Sequence, residues 1–456
     1  MKKIRLIFFT LLSYLSNVFF LSSAPGNVKS NRPNVLFIMA DDCTYNEIGC
    51  YGGKNARTPN IDKLSEEGIM FNRAYVGMSM SVPCRHELYT GLYPLESGCV
   101  WNHSQSRHGT KSVFHYLNDL GYRVGLTGKK HVQPRDVFPY IAVPRFEENC
   151  VLAKEKKEDL SGIKSFMEKD RNQPFCLFVC STSPHAPWTL GDASAYPPEK
   201  LILPPTLGDT PEVREAYSRY LAEITYFDRQ VGEVLKTLEE TGLAENTIVM
   251  LSTEQGWQFS GGKWTNWDIG VHTGLIVKWP GVIDGGAKTD ALVQYADITP
   301  TLIDVAGGKE KKDNHREYVY CMHNNVPEGK PYPIRTIISQ EYHYIRNLLP
   351  DSTYFEKHLE AAAHNENWWQ SWKSAGGRSE RERFLVDRFY HRPADELYSV
   401  KDDPDQFNNL ANSREYARIR KKLYRELEKW MKKQNDPGIS VDTQSAYKNK
   451  YYHIMK

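Results

Sequence analysis

Apolar residues along this chain gather in short unbroken runs, and each run is closed by a cluster of polar residues. The first run is Asn34-Val35-Leu36-Phe37-Ile38-Met39-Ala40, ended by Asp41-Asp42. Pro174 to Cys180 repeats the form and delivers Ser183-Pro184-His185-Ala186-Pro187. Thr247 to Leu251 delivers Ser252-Thr253-Glu254-Gln255-Gly256. Tyr122 to Leu126 is followed by Thr127-Gly128-Lys129-Lys130-His131. Runs of this length without polar alternation predict strands covered on both faces. Helical patterns lie between them. Val113 to Leu120 stops at Gly121, and Glu212 to Glu240 carries Tyr217, Tyr220, Leu221, Ile224, Val231, Val234 and Leu238 near helical spacing before Gly242. Strands alternating with helices predict an α/β fold whose large, mostly parallel sheet is flanked by helices. Sites in such sheets sit at the carboxyl ends of the strands, where these polar clusters fall.

The two ends of the chain read differently. Lys2, Lys3 and Arg5 precede an apolar run to about Leu21, and Ser22-Ser23-Ala24 supplies small residues for cleavage, so 1–24 is expected to be a signal peptide. Export to a periplasmic or secreted location follows, with no stable membrane insertion after cleavage. From about Lys309 to Pro333 the sequence turns polar and irregular, which places a catalytic domain over 25–330 and a smaller C-terminal α+β subdomain over 331–456. That subdomain is expected to hold a small antiparallel sheet and a helix from about Glu415 to Lys432. Trp368, Trp369 and Trp372 lie within it, where packing is favoured over stacking on sugar rings.

Composition changes this picture little. The chain has 456 residues, 40% hydrophobic and 25% charged, and a formal net charge of +2. Such a balance gives no sign of a nucleic-acid partner and leaves an anionic substrate to local charge. Eight cysteines show no spacing of a small disulfide scaffold, and Cys176 and Cys180 read as buried thiols on one strand face.

Candidate chemistry starts with Asp41-Asp42. Adjacent carboxylates after a buried strand fit a capped turn or, as we favour, oxygen ligands for a hard cation such as calcium or magnesium. Lys129 and His131 fit a surface turn as readily as a site, and His185 between prolines fits a structural role as readily as a catalytic one. The most specific stretch is Ser81-Val82-Pro83-Cys84-Arg85-His86-Glu87-Leu88-Tyr89-Thr90-Gly91. It reads as a turn into a helix that puts Ser81 at the N-terminus, where backbone N–H groups favour an anion, with Arg85 one turn on.

This stretch closely resembles the type I sulfatase signature, matched at Ser81, Pro83, Arg85, Leu88, Thr90 and Gly91, with Cys84 where serine is commoner. Asp41-Asp42, Gly128-Lys129-Lys130-His131, Pro184-His185-Ala186-Pro187 and Gly261-Gly262-Lys263-Trp264 look like further elements of that family. The resemblance implies an alkaline-phosphatase-like fold and a formylglycine made from Ser81 by a maturation enzyme. Its hydrate attacks sulfur with one oxygen and expels sulfate with the other. Calcium, or magnesium, is then held by Asp41, Asp42, Ser81, Glu254 and Gln255, although the family usually has Asp and Asn or His at the last two positions. Arg85, Lys129 and Lys263 surround the sulfuryl group, His131 acts on the diol, and His185 is the acid for the leaving group. Gly128 to Val132, Tyr332 to Arg335 and Arg346 to Leu348 resemble the heparan N-sulfatases within the family. That implies an N-sulfoglucosamine substrate in heparin or heparan sulfate fragments, with His323 and Arg335 as substrate contacts. An O-sulfatase on another sulfated glycan, a phosphoester or phosphonate hydrolase, and a non-catalytic binder of sulfated glycans remain as alternatives.

Overall fold

The structure is a computed structural model that describes residues 32–152, 158–308, 316–361 and 367–449. The expected signal peptide lies outside them. Among the described residues, no helix is long and apolar enough to cross a membrane.

Nine strands form the central sheet: β1 (Asn34–Met39), β2 (Ile69–Tyr75), β3 (Arg123–Gly128), β4 (Ile141–Ala142), β5 (Phe175–Cys180), β6 (Thr247–Ser252), β7 (His272–Lys278), β8 (Ala287–Thr289) and β9 (Val293–Gln294). Their order is β4-β3-β5-β1-β6-β7-β2-β8, with β9 also on β2. From β4 through β6 every pairing is parallel, and only β7 runs against its neighbours β6 and β2. All residues of β1, β3, β5 and β6 are buried. Apolar side chains on both faces explain the unbroken runs, because helices cover the sheet on either side. Two apolar clusters result, one on each side: Leu36, Ile38, Leu177 and Leu251 point one way, Val35, Phe37, Phe178 and Met250 the other.

Helix α1 (Ser81–Thr90) follows β2 and is buried along its whole length. Helix α2 (Pro211–Glu240) starts with Pro211 at a first-turn position and with the Thr210 side chain accepting from the Val213 N–H. The apolar stripe read from the sequence, including Tyr217, Tyr220, Ile224 and Val231, faces the core.

A second, antiparallel sheet has the order β10-β11-β12-β13: Val319–His323, Ile334–Ile338, Tyr342–Asn347 and Asp395–Ser399. Its first strand lies upstream of the boundary expected at residue 330, because β10 pairs with β11 rather than with the large sheet. The two parts share one core. Trp257 and Phe259 of the large domain belong to the same apolar cluster as Trp368, Trp369 and Trp372 of helix α3 (Trp368–Gly376). All three of those tryptophans are buried, as packing residues should be. Helix α4 (Ala417–Lys433) packs on β11 and β12. After it the chain returns to the large domain, where the Trp101 indole N–H donates to the Val441 carbonyl. All eight cysteines are unpaired, six of them buried.

Candidate active site

The carboxyl ends of the parallel strands converge on Ser81. Asp41 and Asp42 follow β1, Lys129 and His131 follow β3, His185 follows β5, and Glu254 and Gln255 follow β6. Backbone bonds hold these ends in register. The Asp41 N–H donates to the Ser183 carbonyl at 3.0 Å and the Lys129 N–H to the Cys180 carbonyl at 2.9 Å. Gly128 makes that approach feasible: with φ of +74°, a Cβ there would stand 1.9 Å from the Cys180 carbonyl oxygen.

Ser81 is the first residue of α1, as its place before Pro83 suggests. Its Oγ lies 3.3 Å from Glu254 Oε2, 3.4 Å from Asp41 Oδ1 and 3.1 Å from Gln255 Nε2. One turn on, Arg85 lies with its Nε 2.7 Å from Glu254 Oε1 and its Nη2 3.5 Å from Asp41 Oδ1. The geometry at Nε and Nη2 does not make hydrogen bonds, so the attraction there is between charges. Lys129 Nζ sits 2.5 Å from Asp41 Oδ2, and Lys263 Nζ 2.6 Å from Asp42 Oδ2. Asp42, His131 and Glu254 all have positive φ, at 60°, 49° and 65°. Left-handed backbone at non-glycine residues concentrates where function demands it.

Burial and charge set the protonation states. Burial by itself would raise the Asp41 carboxyl, but Lys129, His185 and Arg85 pull it well below the usual carboxylate range. Burial raises Glu254 against the opposing pull of Arg85, and the Asp41 charge raises it further. His131 is pushed down to about 2, first by burial and then by Lys129 and Arg85. His185 is lowered to about 4 by burial and Lys129, with Asp42 opposing. Both imidazoles are therefore neutral at neutral pH.

A hard cation fits these donors. Oxygens of Asp41, Asp42 and Glu254 lie within 4.8 Å of one another, all three residues buried. Glu254 Oε1 and Gln255 Oε1 are buried without a hydrogen-bond partner. Three carboxylates converging in this way form an oxygen donor set suited to calcium or magnesium, and the Gln255 amide, whose Nε2 faces Asp42 and Ser81, would add its oxygen with the amide turned over. The longer Glu254 and Gln255 side chains reach the same point as the two aspartates, since Asp42 N–H donates to Glu254 Oε2 at 3.3 Å and Gln255 Nε2 donates to Asp42 Oδ1.

Two sequence-based assignments need correction. Arg335 is wholly buried and is gripped by Asp436 through Nε and Nη2, while its Nη1 donates to the carbonyls of His323 and Ile334 and to Asn324 Oδ1. Every guanidinium nitrogen thus donates within the fold. His323 is likewise buried, its Nε2 against Asn325 Oδ1 at 3.2 Å. Both are framework of the small sheet, because β10 and β11 turn these side chains inward. Conversely, no sequence pattern singles out Cys150. Its thiol lies within 4.8 Å of the Asp41 carboxylate and a His185 ring nitrogen. Nothing in a lone cysteine outside any strand or helix could have announced that placement.

A sulfatase family model matches residues 33–308. An ulvan-active sulfatase of Formosa agariphila is 30% identical over 445 residues, covering 89% of this chain and 81% of the relative. The human N-sulphoglucosamine sulphohydrolase is 24% identical over 477 residues, covering 91% and 93%. Among solved structures, a chain in complex with its substrate D-glucosamine-2-N,6-O-disulfate superposes with a TM-score of 0.68 at 21% identity, covering 91% of this chain and all of that one. The phosphonate monoester hydrolase of Agrobacterium radiobacter shares the fold with a TM-score of 0.65 at 16% identity, covering 90% and 97%. With the motif, the sheet and the family match in agreement, this chain belongs to the sulfatase family, the hydrolases of sulfuric esters and sulfamates.

Proposed function

We propose that this enzyme removes sulfate from sulfated saccharides, with N-sulfated glucosamine of heparin or heparan sulfate fragments as its substrate, through a formylglycine derived from Ser81. The observation that carries the reading is the position of Ser81. It heads a buried helix, within 3.5 Å of two carboxylates and an amide and one turn before Arg85. Formylglycine at this position would supply a nucleophile that releases sulfate without leaving a stable ester. A calcium or magnesium ion held by Asp41, Asp42, Glu254 and Gln255 would supply Lewis-acid stabilisation of a sulfate oxygen.

The rest of the chemistry falls to the chain's own side chains. Arg85, Lys129 and Lys263 present three cationic groups to the sulfuryl oxygens, in a pocket where desolvation strengthens each contact. His185 Nδ1 is hydrogen-bonded to its neighbour's carbonyl at 2.5 Å, which commits that nitrogen's proton. A proton for the leaving nitrogen or oxygen must then come from Nε2, which a bound anion would help to charge, or from Lys263. His131, neutral and with an unpartnered Nδ1, would take a proton from the nucleophile once a bound anion offsets Lys129 and Arg85, which together with burial hold its basicity low.

The N-sulfoglucosamine assignment draws on the human relative, matched over nearly its whole length, and on the ligand of the solved neighbour. The ulvan-active relative favours a second reading, an O-sulfatase on a different sulfated glycan. Matched N-, 2-O-, 3-O- and 6-O-sulfated saccharides, with released sulfate counted, separate the two. Sulfate released first from the N-sulfated member supports the assignment, and preference for an O-sulfated one overturns it. Oxidation of Ser81 by a maturation enzyme should appear as a loss of about 2 Da in intact mass, the two hydrogens removed in activating this nucleophile. Residues 1–24 would carry the protein to the compartment where such glycans are met, and residues 331–456 would close the pocket from the C-terminal side.

A further inference from the structure

Beside the sulfate pocket stands a second polar cluster that the mechanism leaves unused. Its centre is Glu328, a carboxylate with no exposed surface. His358 Nε2 lies 2.9 Å and Lys357 Nζ 3.0 Å from Glu328 Oε2. On the other oxygen, the Asn102 amide donates at 2.6 Å and His103 Nε2 lies at 3.9 Å. Burial works against the Glu328 charge, but His358, Asn102 and Lys357 hold its pKa far below the usual carboxylate range. Unlike the carboxylate, its partners reach solvent: the side chains of His103, Lys357 and His358 are 55%, 45% and 38% exposed.

The cluster adjoins the reacting groups at two points. The His103 and His131 rings are 5.6 Å apart. His358 stacks at 10° on Trp264, whose ring also lies 5.1 Å from Lys263 Nζ. His103 and Trp264 have positive φ, at 57° and 68°, like Asp42, His131 and Glu254 within the site. For a tryptophan this is a genuine outlier, and such strain gathers at sites that bind or react.

We propose that His103 and His358 contact the hydroxyl groups of the sugar that bears the sulfate, and that Glu328 is the positioning residue that aims both rings. The hydrogen bonds give the two rings opposite roles. Asn102 Nδ2 donates to His103 Nε2 at 3.3 Å, so the proton of this neutral ring sits on Nδ1 and can be donated outward. Glu328 accepts from His358 Nε2, and in the neutral ring that leaves Nδ1 as an acceptor. A donor and an acceptor on one wall match neighbouring hydroxyls of a pyranose. An aryl sulfate has nothing there to bind.

This inference rests on the saccharide reading above. The test compares kcat/KM for N-sulfated glucosamine with that for 4-nitrophenyl sulfate, in the wild type and in Glu328→Gln, His103→Ala and His358→Ala. Loss of one neutral hydrogen bond should lower the saccharide-to-aryl ratio about tenfold, through KM more than kcat. Glu328→Gln keeps the side chain's size, and its melting temperature separates mispositioning from misfolding. Equal losses on both substrates, or a ratio that stays put in all three variants, overturn the proposal. A second arm needs no turnover. Calorimetric titration of N-sulfated glucosamine into Ser81→Ala protein, with and without His103→Ala, should show binding about tenfold weaker without the imidazole. Equal affinities sink this inference alone, whereas saccharide binding by neither protein sinks the saccharide reading together with it.

Discussion

Two fully buried arginines in this protein meet carboxylates in opposite ways. Arg335 of the small sheet donates from all three nitrogens: Asp436 takes a bidentate grip on Nε and Nη2, and three further acceptors surround Nη1. Arg85 of the large domain makes a single hydrogen bond, from Nη1 to the Lys129 carbonyl at 3.1 Å. Its Nε and Nη2 lack hydrogen bonds, as do Glu254 Oε1 and Gln255 Oε1 close by. Arg85 and Glu254 meet at 2.7 Å as an ion pair outside hydrogen-bond geometry, whereas Gln255 Oε1 has no partner among the described residues, and a buried polar group left so costs about 1–3 kcal/mol. Arg335 thus ties the framework together, and Arg85 stands among charges whose hydrogen bonds the framework leaves unmade.

The strongest break of this comparison is at Ser81. Ser81→Ala should reduce sulfate release about 10⁴-fold or more, as loss of a covalent nucleophile does, while the melting temperature stays near that of the wild type. Ion chromatography of released sulfate and a thermal melt check both halves. Persistent turnover would remove Ser81 from the mechanism.

Next is the cation. Asp42→Asn should weaken calcium binding about 100-fold, since it removes one ligand charge and frees Lys263 and His185 from their partner. Calorimetric titration of calcium into chelator-treated protein gives the number, and added calcium should restore activity lost to the chelator. Full activity of protein shown to be metal-free would refute the ion's role.

Arg335→Ala tests the other side of the comparison. Stranding Asp436 should cost about 3–5 kcal/mol of stability, while the apolar pair Arg335→Met with Asp436→Leu should regain most of it. Urea melts report this directly. A saccharide KM raised several-fold in protein that remains fully folded would reinstate Arg335 as a substrate contact.

The smallest effect concerns Glu87, on the face of α1 away from Ser81. Burial raises its pKa to about 8, against the Gly77 N–H and Gln294 amide that favour the charged form. The folded protein therefore binds this proton more tightly than the unfolded chain, whose ordinary value is 4.5. The resulting stability is fully present below pH 4.5 and is lost as pH rises toward 8, with a slope of at most about 1.4 kcal/mol per pH unit. Glu87→Gln should flatten that part of the stability profile. An unaltered slope in urea melts between pH 5 and 8 would show that Glu87 is ionised throughout.

Much of this protein was legible in the chain itself. Unbroken apolar runs identified the buried strands β1, β3, β5 and β6 within a residue or two, because burial on both faces leaves a local mark. The polar clusters after those runs come together in space, because a parallel sheet brings its carboxyl ends to one edge whatever the connections between them. Ser81 and Arg85 were readable for the same local reason, lying one helical turn apart. Tertiary structure alone decided the surroundings of Arg335, His323 and Glu328. Arg335 is a charged residue in a strand, and its partner Asp436 is 101 residues away. Glu328 draws Asn102 from a distance of 226 residues and His358 from 30. An ionisable group's role depends on whether its partners satisfy it, and partners this distant leave no pattern in the sequence around it.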